Sequence, residues 1–288
     1  MSNERLDVRK TYKLLINGAF PRSESGRSYE VTSSAGAFLG NVSWASRKDV
    51  REAVIAARAA LSKWSGATAY NRGQVLYRIA EMMESRRDEF AAYVAASESL
   101  NDRESQSVVN ETIDRIVWYA GWTDKVAQVL GGTNPVAGPF FNFSIPTPTG
   151  VIGVLAPQDS SLLGFVSSVL PALAVGNTVV AVSSERRPIP AVLLGEITAT
   201  ADVPAGVLNI LSGVASELGP VLATHEDVDG LDLTGAGDLA GTLAADAATS
   251  IKRVFRPTAL DLDWSASPGT RRLRAFVETS TVWHTVGQ

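Results

Sequence analysis

The residues that could do chemistry are few, and their types already exclude several kinds of site. The chain has no cysteine, which removes disulfides, thiolate metal sites and thiol nucleophiles together. Its two histidines are His225 and His284, too few for a histidine-rich metal centre. His225 is followed by Glu226 and Asp227, but adjacent side chains point in different directions, so we expect no metal binding or acid–base catalysis there. We expect His284 at a strand-pairing or interface position.

Composition and charge argue against two classes of binding partner, nucleic acid and membranes. The 288 residues are 45% hydrophobic, enough for a substantial core, and 30 acidic against 26 basic residues give a net charge of −4. This balance does not favour nucleic acid. No apolar stretch is long enough to span a membrane and residues 1–10 are polar, so we expect a soluble, cytoplasmic protein. The short basic cluster of Arg271, Arg272 and Arg274 is interpreted as a solvated face.

The first third of the chain predicts two short strands followed by a helical layer. Strand-like residues at 12–16 and 29–32 each precede a turn. Ser46 and Asp49 form a capping-box pattern, which predicts the start of a helix that ends before Gly66. Two more helices follow by apolar spacing. One carries apolar residues from Val75 through Val94, and the other carries Ile113, Val117 and Ala120 and continues towards Leu130.

From Gly150 the pattern changes to short apolar runs that alternate with segments of helix length. Runs rich in β-branched residues and without alternation indicate strands that are buried on both faces. The predicted strands are 151–155, 178–182, 207–211, 228–233 and 251–255, and the predicted helices are 161–175, 188–200, 215–224 and 236–247. This order predicts an α/β fold with a doubly wound, Rossmann-like parallel sheet, whose ligand crevice lies beyond the carboxyl ends of the strands.

Two segments do not belong to that sheet. Residues 141–145 alternate strictly and are followed by Pro146 and Pro148, which favours an edge strand or one arm of a projecting hairpin. Residues 275–286 are also strand-like and follow a polar linker. Both segments are therefore interpreted as strands that lack partners.

Several motifs resemble the NAD(P)-dependent aldehyde dehydrogenases, in the same order as in that family. They lie at 148–157, 170–180, 204–213 and 233–235. The resemblance covers about residues 11–256 and resumes at 273–284. It implies a cofactor-type domain at 1–135 and 150–256 and an oligomerisation element at 136–149 and 271–288. Residues 257–270 would then be a linker in place of the family's catalytic domain, which we expect to be missing.

Residue by residue, the resemblance implies a site that has lost its catalytic groups. The catalytic asparagine that follows Pro157 is replaced by Asp159, a carboxylate that would repel a developing negative charge. Pro257 stands at the general-base glutamate, and the cysteine nucleophile is absent. Val182 replaces a lysine that contacts the ribose, and Ala236 replaces a serine that contacts the pyrophosphate.

Some of the family's cofactor-binding positions are retained. Glu185 matches the glutamate that binds the ribose hydroxyls, although it could equally be a solvated loop charge. Gly213, Gly219 and Gly235 match family glycines, and they could equally serve turns and packing. NAD(P) binding with weakened affinity is therefore possible, and no catalytic or metal-binding residue is assigned.

These observations predict a non-catalytic subunit that assembles with and supports a full-length aldehyde dehydrogenase. Contact with the partner would run through the 140–149 hairpin and the 273–286 tail strand. The alternative is an NAD(P)-binding or sensing module without catalysis. An enzyme with a relocated site at Asp159 is a third possibility, but a lone carboxylate without a positioned partner defines no reaction. A truncated, non-functional gene product is a fourth.

Overall fold

The computed structural model describes residues 9–286. The predicted domain boundaries at residues 1 and 288 therefore lie outside the described residues. The strands are β1 Thr11–Tyr12, β2 Ser28–Thr32, β3 Phe38–Ser43, β4 Gly132–Asn134, β5 Phe140–Pro148, β6 Val151–Leu155, β7 Thr178–Val182, β8 Leu208–Leu211, β9 Gly230–Asp232, β10 Arg253–Phe255 and β11 Val277–Thr285. The α-helices are α1 Arg47–Ser65, α2 Ala69–Ser85, α3 Arg87–Glu98, α4 Asp102–Trp122, α5 Val126–Leu130, α6 Leu163–Ala174, α7 Ile189–Thr198, α8 Ala215–Thr224, α9 Ala240–Ala248 and α10 Arg271–Ala275.

The predicted parallel sheet is confirmed. Five strands pair in the order β10-β9-β6-β7-β8, and every pairing is parallel. Along β6, Ile152 and Val154 belong to the core cluster shared with α2–α4 and α6–α7, whereas Val151 and Leu155 belong to the cluster shared with α1, α8 and α9. Successive side chains of a strand point to opposite faces, so a strand buried on both faces must be apolar throughout.

The order in which the strands join the sheet determines where its ligand crevice lies. After β6 the chain adds β7 and β8 on one side and then crosses back to place β9 on the other side of β6. The strand order therefore reverses between β6 and β9. In open α/β sheets, ligands bind beyond the carboxyl ends of the strands at such a reversal.

The helical layer follows the predicted caps, but two predicted helices are each interrupted. At the start of α1, the Ser46 hydroxyl accepts from the amide of Asp49, while the Asp49 carboxylate accepts from the amide of Ser46 at 2.7 Å. The expectation of one helix from Val75 through Val94 is wrong, because Arg86 leaves the helical conformation and ends α2. Its guanidinium instead bonds to Glu89 in α3 and to Glu196 in α7, which fixes the bend.

The second interruption lies between α4 and α5. The expected helix towards Leu130 stops at Trp122, and the hydroxyl of Thr123 donates to the carbonyl of Ala120 at 2.9 Å. A threonine hydroxyl that bonds to a preceding carbonyl competes with the regular helix ladder and favours a helix end. A short helix, α5, follows before the chain enters β4.

The hairpin and the tail form one antiparallel sheet in the order β11-β5-β4. The expectation that both strands lack partners is wrong, since they pair with each other from Val277 opposite Pro148 to Thr285 opposite Phe140. As predicted, β5 is one arm of a hairpin, which it forms with β4. It is not an edge strand there, because β4 pairs with one side of it and β11 with the other. Its two prolines are tolerated because β4 pairs only with Asn142–Ser144 and does not lie opposite them. The strand of the tail starts at Val277, because residues 271–275 form α10.

A buried ion pair attaches α10 to the parallel sheet. Arg272 Nη1 donates to Asp232 Oδ2 at 2.8 Å, and the side chains are only 7% and 2% exposed. Asp232 is the last residue of β9, and its other oxygen accepts from the amide of Thr234. Burial raises the pKa of Asp232, and the Arg272 guanidinium opposes that rise. The prediction of a solvated basic face is therefore wrong for Arg272.

We predict that Arg272→Met destabilises the fold by about 3–5 kcal/mol near neutral pH, because it leaves the Asp232 carboxylate buried without its cation. Loss of the guanidinium raises the pKa of Asp232 further, so this carboxyl takes up a proton more readily in the folded than in the unfolded chain. Acidification then favours folding of the variant. Urea unfolding should show a deficit that shrinks from about pH 7.5 to about pH 5.

Arg274→Met is the matched control, because Arg274 lies on the same helix and is exposed. It should leave the free energy of unfolding nearly unchanged. An Arg272→Met deficit as small as that of the control, or one that is independent of pH, would contradict the role assigned to the pair.

Candidate functional site

One side chain links the loops that follow the carboxyl ends of β6 and β7. Gln158 follows β6, and its Oε1 accepts from the amide of Glu185 at 2.9 Å and from the hydroxyl of Ser184 at 3.3 Å. Its Nε2 donates to the carbonyl of Ala156 at 3.0 Å. The amide group of Gln158 therefore ties together the two loops that leave these strands.

Asp159 is exposed, and the structure brings no reacting partner to it. Its backbone carbonyl accepts from Arg187 Nη1 at 2.7 Å, which is a loop contact. Within residues 9–286, its carboxylate makes no hydrogen bond or ion pair. A general acid or base needs a positioned proton donor or acceptor, so the geometry supplies no relocated catalytic site at Asp159.

Glu185 lies at the rim of a cavity of about 410 Å³. Tyr29 and Trp44 form part of its wall and pack edge to face with ring centroids 5.7 Å apart. The hydroxyl of Tyr29 donates to the carbonyl of Glu185 at 3.2 Å. Burial, with a smaller contribution from the Glu185 carboxylate, raises the pKa of Tyr29, so its hydroxyl stays protonated. The exposed Glu185 carboxylate, aromatic rings and Val214 together form an amphipathic pocket.

The predicted site glycines have direct packing roles, and none of them lines the cavity beside Glu185. The amide of Gly235 donates to the carbonyl of Leu155 at 2.7 Å, and an added Cβ would overlap the carbonyl of Ala156. Gly213 has a φ of +153° and faces Leu218, while Gly219 faces Leu243. The backbone contact and the positive φ account for glycine at positions 235 and 213 without a ligand, whereas a Cβ at position 219 would press only on the Leu243 side chain at 3.1 Å.

The other positions singled out in the sequence lie on three separate elements. His225 Nδ1 accepts from the amide of Asp227, and burial lowers the pKa of its imidazole. His284 is exposed on β11, opposite Phe141. Val182 is buried at the end of β7. No group of three or more histidine, cysteine, aspartate or glutamate side chains in the described part of the chain is placed to hold a metal ion.

The structure also contains a polar cavity of about 40 Å³ that the sequence reasoning missed. Arg115, Tyr119 and Arg272 lie around it. A signal for it was available in the spacing of α4. Arg115 falls three residues after Thr112 and four before Tyr119, on the face that the helix buries. A cation on an apolar face implies a polar contact inside the fold.

The doubly wound sheet, with its reversal between β6 and β9 and a pocket at Glu185, defines a domain of the dinucleotide-binding α/β class. The sequence pattern described as "Aldehyde dehydrogenase family" matches residues 20–256. The chain therefore belongs to the aldehyde dehydrogenase family.

Individual relatives agree with this assignment. The chain is 36% identical over 260 residues to retinal dehydrogenase 2 of Gallus gallus, which covers 86% of this chain and 48% of that protein. The crystal structure of HpcC from Thermus thermophilus superposes with a TM-score of 0.81 at 30% identity, covering 85% of this chain and 47% of that one. The NAD⁺ complex structure of an aldehyde dehydrogenase from Bacillus cereus gives a TM-score of 0.79 at 27% identity, covering 85% and 50%.

The chain thus spans about half the length of the curated relatives that it matches. It contains no cysteine, so the family's catalytic nucleophile is absent from it. Across residues 9–286, no helix is both long enough and apolar enough to cross a membrane.

We predict that Gly235→Ala destabilises the fold by at least about 2 kcal/mol, because its Cβ would displace the backbone that follows β6. Gly241→Ala is the matched control, since a Cβ there meets nothing within 4 Å and the residue lies in helix α9. That substitution should stabilise by about 0.5–1 kcal/mol. Thermal unfolding of both variants measures the difference. Equal effects at the two positions would contradict a packing role for Gly235.

Proposed function

We propose that this chain is a non-catalytic subunit that assembles with a full-length aldehyde dehydrogenase and supports it. The observation that carries the proposal is the unpaired outer edge of β11. β11 pairs with β5 along one side only, and within the described residues no strand pairs with its other side. Unpaired backbone N–H and C=O groups of an edge strand are a template for another strand.

Aromatic side chains flank that edge and give it an apolar surface. Trp283 is 61% exposed and packs edge to face on Phe140, with ring centroids 5.8 Å apart. Phe141 is 49% exposed on the neighbouring strand. Exposed aromatic residues grouped beside an open strand are typical of protein interfaces.

The family resemblance suggests what would receive this edge. In aldehyde dehydrogenases the hairpin and tail add to the catalytic-domain sheet of a neighbouring subunit. The part of this chain that matches the family lacks the cysteine nucleophile, so in this proposal a full-length partner provides the receiving sheet. Oxidation of an aldehyde by NAD(P) would then occur in the site of that partner.

A charge at the edge tests the proposal. We predict that Trp283→Glu reduces recovery of the complex at least tenfold, because a carboxylate would be buried where an aromatic side chain now lies. The chain is co-expressed with the full-length aldehyde dehydrogenase of its own host and purified by a tag on the chain, and the complex is identified by mass.

Ile55→Glu is the matched control, because Ile55 is 62% exposed and lies on α1, away from the hairpin sheet. It should leave recovery unchanged. A well-behaved monomer or homo-oligomer of the wild-type chain, with no aldehyde dehydrogenase bound, would overturn the proposal.

A second candidate is an NAD(P)-binding or sensing module. It is favoured by the 410 Å³ cavity, where Glu185 stands at the rim and Tyr29 and Trp44 offer aromatic surface to a ring system. The solved NAD⁺ complex of a relative supports the same class of ligand. This candidate requires no partner, so it is independent of the β11 edge.

We predict for this candidate that calorimetric titration with NAD or NADP gives saturable binding, and that Glu185→Gln weakens it at least tenfold. A charge-assisted hydrogen bond to a ribose hydroxyl is worth about 1.5–3 kcal/mol, which corresponds to that change. Glu81→Gln, which alters an exposed carboxylate on α2, is the control. Absence of saturable binding of either nucleotide would reject this candidate.

A further inference from the structure

A small cavity of about 40 Å³ lies between helices α4 and α6 and the segment that follows β10. Its lining combines two buried guanidinium groups with a tyrosine hydroxyl and an indole N–H. The residues that form it are Arg115, Tyr119, Ser167, Leu260, Asp261, Asp263, Trp264, Ala266, Ser267, Pro268 and Arg272.

Arg115 is a buried cation without a carboxylate partner. Only 8% of the residue is exposed, and within the described chain no carboxylate lies within 4 Å of its guanidinium. Its hydrogen bonds run to neutral acceptors, the hydroxyl of Ser167 at 2.7 Å and the carbonyls of Trp264 and Ala266 at 2.8 and 3.1 Å. Burial lowers the pKa of Arg115, as expected for a charge removed from water.

Two further donors beside this cation have no acceptor among residues 9–286. The hydroxyl of Tyr119 and the indole Nε1 of Trp264 are buried and make no hydrogen bond to any of these residues. The Tyr119 side chain is fully buried, and burial raises its pKa to about 12, so the hydroxyl keeps its proton. An indole N–H can only donate. An orphaned buried donor costs about 1–3 kcal/mol, so two of them beside a cation require an explanation.

The nearby carboxylates are engaged in other contacts. Asp232 is paired with Arg272. Asp261 is paired with Arg271 and also accepts from the hydroxyl of Thr258 at 2.7 Å.

Asp263 is exposed, and its Oδ1 accepts from the amide and the hydroxyl of Ser265. The three carboxylates near the cavity therefore leave the charge of Arg115 and the two orphaned donors without an anionic acceptor.

We propose that this cavity binds a small monovalent anion, of which chloride is the type. The anion would accept from the hydroxyl of Tyr119 and the indole of Trp264 and would neutralise the charge of Arg115. The volume admits a water-sized or chloride-sized particle. Binding would hold the 259–268 segment onto α4, because Trp264 lies in that segment and Arg115 and Tyr119 lie on the helix.

Thermal unfolding at constant ionic strength tests the site, with chloride exchanged for gluconate, a much larger organic anion. We predict that about 200 mM chloride raises the unfolding midpoint by about 3 °C, the shift that a dissociation constant of about 10 mM gives for a chain of this size. A crystal soaked in bromide should show an anomalous peak in the cavity.

Variants separate an anion from a water molecule or an empty space. Tyr119→Phe removes one orphaned donor and should raise the half-saturating chloride concentration at least tenfold, and Arg115→Met should abolish the chloride dependence. Arg103→Met is the control, because Arg103 is exposed on the same helix and should not alter it. If Arg115→Met fails to fold, Tyr119→Phe and the bromide peak decide. Equal midpoints in chloride and gluconate together with no bromide peak would overturn the proposal.

Discussion

The contact on which the arrangement of this chain depends is the buried ion pair of Asp232 and Arg272. One partner is the last residue of β9, in the parallel sheet, and the other lies on α10, immediately before the tail strand. Removing two charges from water is costly, so such a pair persists only where geometry is close and further hydrogen bonds complete it. Here the hydroxyl of Thr234 and the carbonyl of Asp261 accept from Nη2 of Arg272, which adds two hydrogen bonds to the pair.

This pair also explains why the segment after β10 is not a free linker. Once Arg272 is fixed at the end of β9, the preceding residues must pass over α4 and α6. There the carbonyls of Trp264 and Ala266 accept from Arg115. The same loop therefore covers the guanidinium groups of Arg115 and Arg272. It also supplies the carbonyl of Asp261, which accepts from Arg272. The loops at the carboxyl ends of the strands are held independently, by the hydrogen bonds of Gln158 between the β6 and β7 loops and by the close packing of Gly235 on the chain that leaves β6.

Local sequence pattern predicted most of the α/β domain. The strands Val151–Leu155 and Thr178–Val182 and the helix Ala215–Thr224 lie where apolar runs and helix-length segments indicated, because burial on both faces leaves a signal that each segment carries by itself. The capping box at Ser46 is equally local. The break at Arg86 and the burial of Arg272 depend on partners distant in sequence, Glu196 and Asp232, so no window of residues contains the information. For the same reason, the pairing of the tail with β5 could not be predicted from periodicity. The spacing of α4 does place Arg115 on the buried face, but the cavity beside it also depends on residues 260–272, which are distant in sequence.

The two prolines of β5 make the two margins of the hairpin sheet unequal in their capacity to pair with a further strand. Pro146 and Pro148 have no N–H to donate, and β4 pairs only with Asn142–Ser144, so that margin of β5 cannot template a long strand. β11, by contrast, is continuous over nine residues. The sheet therefore has one long free margin, along β11, and on its other side only the three exposed residues of β4. Strand pairing from outside the sheet is favoured at the β11 margin, where the run of unpaired backbone groups is longest.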